Sequence, residues 1–317
     1  MKSESLVLLS GEPGSLPEAE ARALFLAYDP ASRFTSPEPR VLLAESEADP
    51  FAVGARVAFA RRVGIVLREP SDAAELVNGK RIRLREFALA PGLPSDAGEL
   101  LRGVDATVDL GSPDFEFTLV RGRRTYLVLT SPLAMRQRWS HRRPRQRPFF
   151  HPSAIFPKLS RALVNLSGFR AGEVFLDPFS GTGSLPIEAA EVGARVLALD
   201  LSSKMAKGAL ANMKKFGQSW LGAVRCDSFR APLTGVDAIA TDLPYGRASS
   251  TRGLSAGVVV ERALESLSPL LEPGRRMVLM HASHTPVPPS PEFAPQEEHN
   301  LYVHKRLTRT ITVLRRK

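Results

Sequence analysis

One cysteine, Cys226, in 317 residues leaves no intramolecular disulfide and no multi-cysteine zinc or iron–sulfur site. Long apolar runs are missing as well, and no stretch approaches the roughly 18–20 residues that span a bilayer. The opening residues Met1-Lys2-Ser3-Glu4-Ser5 mix charges and lead into a short apolar segment. That start argues against a signal peptide and for a cytoplasmic location. Hydrophobic residues make up 43% and charged residues 24%, which suits a soluble globular chain of two or three domains.

Lysine is scarce. Of the 43 basic residues 34 are arginine and 9 lysine, and the net charge is +10. Guanidinium grips phosphate at two points, so the excess points to a nucleic-acid partner, although arginine-rich codon usage would produce it too. Position adds information. Residues 1–60 are acidic, with 5 basic against 9 acidic side chains, whereas six arginines fall between Arg136 and Arg147 and six basic residues between Lys305 and Lys317. Such clustering is an electrostatic footprint.

Residues 1–50 read as strand (Leu6–Leu9), helix (opened by Ser15-Leu16-Pro17-Glu18 and running through Ala19–Tyr28) and strand (Arg40–Glu45). Residues 51–135 continue as an α+β region. Phe51–Val66 starts helical and ends as a strand, Asp96–Val104 is a short helix, and the strands Phe115–Leu119 and Thr125–Thr130 flank a basic hairpin with Arg121, Arg123 and Arg124. Residues 136–148, rich in arginine and proline, read as an extended basic linker whose Arg138, Arg142, Arg143 and Arg145 either contact RNA or are simply solvated. From 149 to 317 helices alternate with apolar strands, the pattern of an α/β doubly wound parallel sheet. The strands are Val174–Asp177, Arg195–Asp200, Ala223–Cys226, Ala238–Asp242, Arg276–Ala282 and Thr308–Arg315, the last two forming an antiparallel edge. The helices are Lys158–Leu166, Leu185–Val192, Lys204–Phe216 and Val258–Leu271, and the five prolines of Pro286–Pro295 mark a loop.

The first of these strands runs into Asp177-Pro178-Phe179-Ser180-Gly181-Thr182-Gly183, a turn that lets backbone approach a ligand at the carboxyl edge of the sheet. A dinucleotide fingerprint would need glycine at position 186, where Pro186 stands, and no Gly-Lys-Ser/Thr follows for a phosphate loop. Asp200 ends the second strand at the spacing that meets a ribose diol, and Asp227 follows the third strand, within reach of an adenine edge. The fourth strand ends Asp242-Leu243-Pro244-Tyr245. An aromatic amine is a weak nucleophile because its lone pair enters the ring. A carboxylate (Asp242) and a backbone carbonyl (Pro244) can take its two N–H bonds, and Tyr245 offers a face for an extruded base.

These residues resemble those of S-adenosylmethionine-dependent amino-methyltransferases. The segments Arg147-Pro148-Phe149-Phe150-His151-Pro152, Pro157–Leu166 and Leu307-Thr308-Arg309 resemble more narrowly the archaeal tRNA guanosine-10 N2-methyltransferase family. The resemblance implies a Rossmann-like methyltransferase sheet, an N-terminal THUMP RNA-binding domain within residues 51–135, and S-adenosyl-L-methionine as cofactor. It implies closure of Phe149, Phe150, His151 and Pro152 over the methionine end. It also implies transfer of methyl to the exocyclic N2 of a guanosine in tRNA, position 10 by the family's habit. The expected cofactor contacts are Phe150, His151, Asp177, Phe179, Gly181, Thr182, Gly183, Asp200 and Asp227. Some members of the family act with a small zinc-containing activator protein, so monomer and heterodimer both stay open. Leu243 stands where many relatives have proline and Ser180 where cysteine is frequent.

The remaining alternatives are a DNA adenine- or cytosine-amino methyltransferase, which would lack the N-terminal RNA module, and a catalytically inactive tRNA-binding protein. His281 and His284 lie three apart without a nearby carboxylate or cysteine in sequence, so no metal is expected there. Trp139 and Trp220 either stack on RNA or pack.

Overall fold

Apolar strands such as Ser5-Leu6-Val7-Leu8-Leu9 can be buried only inside a sheet, and two sheets organise the chain. The computed structural model describes residues 3–90, 105–130, 139–216, 220–244, 253–304 and 307–317. The helix expected over Asp96–Val104 lies outside them. The chain divides into two units, Met1–Glu12 with Pro17–Gln137 and Pro13–Leu16 with Arg138–Lys317.

The first unit holds β1 (Ser3–Leu9), α1 (Leu16–Tyr28), β2 (Arg33–Glu38), β3 (Val41–Ser46), α2 (Pro50–Arg56), β4 (Ala60–Leu67), α3 (Ala74–Val77), β5 (Arg81–Ala88), β6 (Thr107–Val108), β7 (Phe115–Arg121) and β8 (Thr125–Thr130). All eight strands join one sheet in the order β2-β3-β1-β4-β8-β7-β5-β6. Leu24 and Phe25 of α1 pack on Val7, Leu42, Val53 and Val63. Strands β2 and β5 escape a hydrophobicity reading for different reasons. Pro37 sits in β2, which survives because it is an edge strand. In β5 the alternating positions are Arg81, Arg83 and Arg85, whose charges are met by Asp114 and by the buried Glu116, which also accepts from Arg62.

In the second unit residues 139–147 are not an extended linker. They form two short 3-10 turns, Ser140–Arg142 and Pro144–Gln146, docked against α4 (Pro157–Leu166) and α5 (Ser184–Glu191). The lock is Glu188, fully buried, whose carboxylate takes Arg142 Nε at 2.7 Å and Arg161 Nη2 at 2.8 Å. Arg147 donates to Ser184 Oγ at 2.6 Å and to the carbonyl oxygen of Ile155 at 3.2 Å. The Trp139 ring faces both Arg142 and Arg161 at 5.6 and 5.5 Å, so this tryptophan packs.

The core of this unit is a seven-stranded sheet of β9 (Val174–Asp177), β10 (Arg195–Asp200), β11 (Trp220–Arg225), β12 (Ala238–Asp242), β13 (Arg276–Ala282), β14 (Phe293–His304) and β15 (Leu307–Arg316), in the order β11-β10-β9-β12-β13-β15-β14. The first five are parallel, and β15 runs antiparallel between β13 and β14. Helix α6 (Ser203–Phe216) precedes β11, and α7 (Ala256–Leu267) buries Val259, Val260, Leu264 and Leu267 against Ile239, Met277 and Leu279. The expected antiparallel edge is a pair of strands rather than one. Strand β14 starts inside the proline-rich stretch read as loop, and Pro295 lies where the register shifts beside Glu297 on the outermost strand.

Removing Glu188 would take the buried Arg161 away from its carboxylate and leave the buried Arg142 with Glu191 alone. Glu188→Ala should therefore destabilise the protein by about 3–5 kcal/mol in reversible denaturant unfolding; a decrease below about 1 kcal/mol would show that the two arginines find other partners.

Candidate active site

In a parallel sheet the chain reverses direction about its first strand, here between β9 and β12, and the crevice outside the carboxyl ends at that point is where ligands bind. Strand β9 delivers Asp177 there, β10 Asp200, the turn after β11 Asp227, and β12 Asp242; all four line one cavity of about 890 Å³. His151, Phe179, Gly181, Thr182 and Pro244 line it too.

The glycine turn is held by hydrogen bonds that its sequence anticipates. Gly181 and Gly183 take φ of +52° and +77°, a backbone region closed to most side chains. A Cβ on Gly183 would also lie 3.3 Å from Ala209 Cβ of α6. Asp200 accepts the Gly181 N–H at 3.0 Å and the Ser202 N–H at 2.8 Å, tying the turn to the end of β10. Asp177 accepts the Thr241 hydroxyl at 2.7 Å and the Phe179 N–H at 3.2 Å. Asp227 caps the turn that follows, accepting the Phe229 N–H at 3.2 Å, and the Ser228 hydroxyl donates to the Pro178 carbonyl. At the end of β12 the Leu243 N–H donates to Met280 O at 2.9 Å, and its side chain is buried with α7. Leucine in this position keeps the turn and adds to the core.

Electrostatics separates these acids. Burial pushes Asp177 up to about 7, against the bonds from Thr241 and Phe179, and the neighbouring Asp200 and Asp242 push the same way. Burial pushes Asp242 up to about 7 as well, opposed by Arg309, and its Oδ1 has no hydrogen-bond partner among the described residues. Asp200 is raised by burial and relieved by its two N–H donors.

Other expectations fall elsewhere. Phe150 does not line the cavity. Phe149 takes the inward seat, its amide and carbonyl both bonded to the Asn212 side chain and its ring filling the space where Gly208 lacks a Cβ; Phe150 is left 48% exposed with Arg145 over its ring at 5.9 Å. Gly183 stands behind the turn as the N-cap of α5. Tyr245 and Arg138 lie outside the described residues. Arg142 is corrected from an RNA contact to a structural one, because its side chain is 4% exposed and held by Glu188 and Glu191. Arg121 is paired with Glu86 at 2.8 Å, whereas Arg123, Arg124, Arg143 and Arg145 are exposed. Arg309, Arg262, Thr241 and Phe229 were not foreseen as site residues. Their approach depends on how β15, α7, β12 and the turn after β11 pack; in the sequence Leu307-Thr308-Arg309 carries only a resemblance, with no site role attached.

S-adenosylmethionine fits these residues. A carboxylate beside an αL glycine turn suits a ribose diol, Asp227 with the Phe229 ring suits an adenine, and the Asp242 carboxyl lining the cavity suits an amine.

Three comparisons bear on the chain. The family model for the RMKL-like methyltransferase domain, UPF0020, matches residues 144–310. The tRNA (guanine(10)-N2)-dimethyltransferase of Methanothermobacter thermautotrophicus is 31% identical over 99% of each chain, and that of Pyrococcus abyssi is 30% identical over 82% of this chain and 84% of its own. Among solved structures, TrmN from Thermus thermophilus superposes with a TM-score of 0.50 at 20% identity over 100% of both chains, a likeness of fold.

The raised carboxyl has a measurable cost. Folding holds Asp242 at about 7 against an ordinary 3.8, so between those values the native state keeps a proton that the unfolded chain has released. Stability falls as pH rises through that window. Asp242→Asn should accordingly unfold later than the parent chain at pH 8, by up to about 4 kcal/mol, with the gain vanishing near pH 4; an equal gain at both pH values would contradict this account.

Proposed function

Since the chain belongs to the tRNA (guanine(10)-N2)-dimethyltransferase family, we propose that it transfers methyl from S-adenosyl-L-methionine to the exocyclic N2 of a guanosine in tRNA, at position 10. The observation that carries the reading is Asp242, half-buried at the end of β12 and lining the cavity beside a glycine turn and three further carboxyls, with one carboxylate oxygen unpartnered among the described residues. Bound S-adenosylmethionine supplies an electrophilic methyl group.

Asp200 would hold the ribose, Asp227 and Phe229 the adenine, and Gly181 and Thr182 of the turn lie beside them. Asp177, Phe179 and His151 complete the cofactor wall. Asp242 and the Pro244 carbonyl would accept the N–H bonds of the acceptor amine, turning its lone pair toward the methyl and stabilising the positive charge that develops on nitrogen. Tyr245 would stack on the extruded base. Once alkylated, the nitrogen sheds its proton readily, to Asp242 or to water, so alignment rather than strong base catalysis supplies the acceleration.

The N-terminal unit is proposed as the THUMP-type RNA module, reading tRNA shape and backbone. The same resemblance carries a small zinc-containing activator protein into the proposal, with a heterodimer as its signature in size-exclusion chromatography. No helix among the described residues is long and apolar enough to cross a membrane, and a cytoplasmic site of action is proposed.

Incubation of the protein with unmodified tRNA and cofactor, followed by nuclease digestion and mass spectrometry, should find one or two methyl groups on the guanine at position 10. Asp242→Ala should abolish turnover while cofactor affinity stays near normal, whereas Asp200→Ala should weaken that affinity by about 1.5–3 kcal/mol. Full turnover by the Asp242 variant would overturn the assignment.

RNA binding by the exposed arginines is tested separately. Replacing Arg143 and Arg145 by glutamine should flatten the slope of log affinity against log salt by somewhat under one unit for each phosphate no longer neutralised, without changing the nucleotide modified. An unchanged slope would mean that these two arginines are merely solvated.

A further inference from the structure

The reaction as described leaves the motif Leu307-Thr308-Arg309 without a role, yet Leu307 and Arg309 line the cavity. Strand β15 is separated from β12 by β13. Across that strand Asp242 is in register with Met280, and Arg309 is in register with Ala282, two residues further toward the carboxyl edge. The Arg309 side chain therefore reaches over β13, and its Nη2 stands 3.9 Å from Asp242 Oδ2, both side chains being 18% exposed.

That distance is ionic but too long for a hydrogen bond. A guanidinium so placed favours the charged carboxylate without filling the lone pairs that an acceptor amine needs. The other charges around the cavity are Asp177 from β9, Asp200 from β10 and Asp227 after β11, with Arg262 from α7 and His151 ahead of α4. The strand between them, β13, presents only Met280 and Ala282 at these two register positions. Burial disfavours the charge on Asp242, and Arg309 is the group that favours it. A protonated carboxyl would offer an O–H donor where an amine N–H requires an acceptor.

We propose that Arg309 is a positioning residue for methyl transfer, acting through Asp242 by favouring its carboxylate form, the form able to accept an N–H of the acceptor amine. The inference rests on the reading of Asp242 given above. Arginine suits the task because its charge persists across the whole working range of pH.

The test is the pH profile of kcat at saturating tRNA and cofactor. In Arg309→Gln the acid limb should move up by about 1–3 pH units, so that activity missing at pH 7 returns at alkaline pH, while Arg309→Lys keeps the limb near its original place. Cofactor affinity should be unchanged in both. Should the glutamine variant unfold, Arg309→Met, which retains the apolar stem, gives the same reading. A readout independent of turnover is a double-mutant cycle: the stabilisation from Asp242→Asn at pH 8 should be larger when Arg309 is already replaced. An unmoved limb, a lysine variant that behaves like the glutamine one, or a cycle without coupling would each overturn the proposal. Retention of kcat by Asp242→Asn would instead sink the underlying assignment of Asp242, so the two failures are distinguishable.

Discussion

Carboxyl groups gathered at one edge of a parallel sheet, half-buried or buried, are the constraint around which the second unit is built. Asp177, Asp200, Asp227 and Asp242 end or follow four neighbouring strands, and they are satisfied to different degrees. Backbone N–H groups of the tight turns serve Asp200 and Asp227, while a threonine hydroxyl from the next strand serves Asp177. Asp242 is left least satisfied, with a guanidinium at ionic distance and one oxygen without a hydrogen bond among the described residues. A buried acceptor in that condition is costly to the fold. A group whose N–H bonds complete it gains the difference on binding, so the site holds part of the affinity for its acceptor as an unmet hydrogen-bond demand.

A second buried charge does the opposite. Glu188 is fully paired, and through Arg142 and Arg161 it fixes residues 139–147 on α4 and α5. Arg147 then reaches Ser184, which also accepts the Ile155 N–H at 3.1 Å, so the wall bearing His151 and Ile155 hangs from the same helix that follows the glycine turn. Packing and site are thereby mechanically continuous: the ion pair shapes the cavity wall rather than reaching into the cavity.

Much of this was legible in the chain. Strands β9, β10, β12 and β13 and helices α4 to α7 follow from apolar periodicity because each buries a continuous apolar face. What misled was chemistry that periodicity does not weigh. Arg142 looks solvated until the distant Glu188 is placed beside it. Strand β5 looks polar until Glu116 neutralises it, and Pro295 looks like a loop until β14 proves to be an edge. Phe149 and Phe150 are equivalent in sequence, and the missing Cβ of Gly208, some sixty positions away, decides which of them turns inward.

Residue order was enough to place the strand ends and their acids, the glycine turn, and the Asp-Leu-Pro-Tyr tetrapeptide, because turn geometry and residue chemistry are local properties. Which charges survive as charges was decided in three dimensions. Whether Asp242 is ionised depends on burial and on Arg309, which lies 67 residues away and two strands over. Desolvation and Coulomb interaction act through space, and the chain order that carries motifs carries no record of those distances.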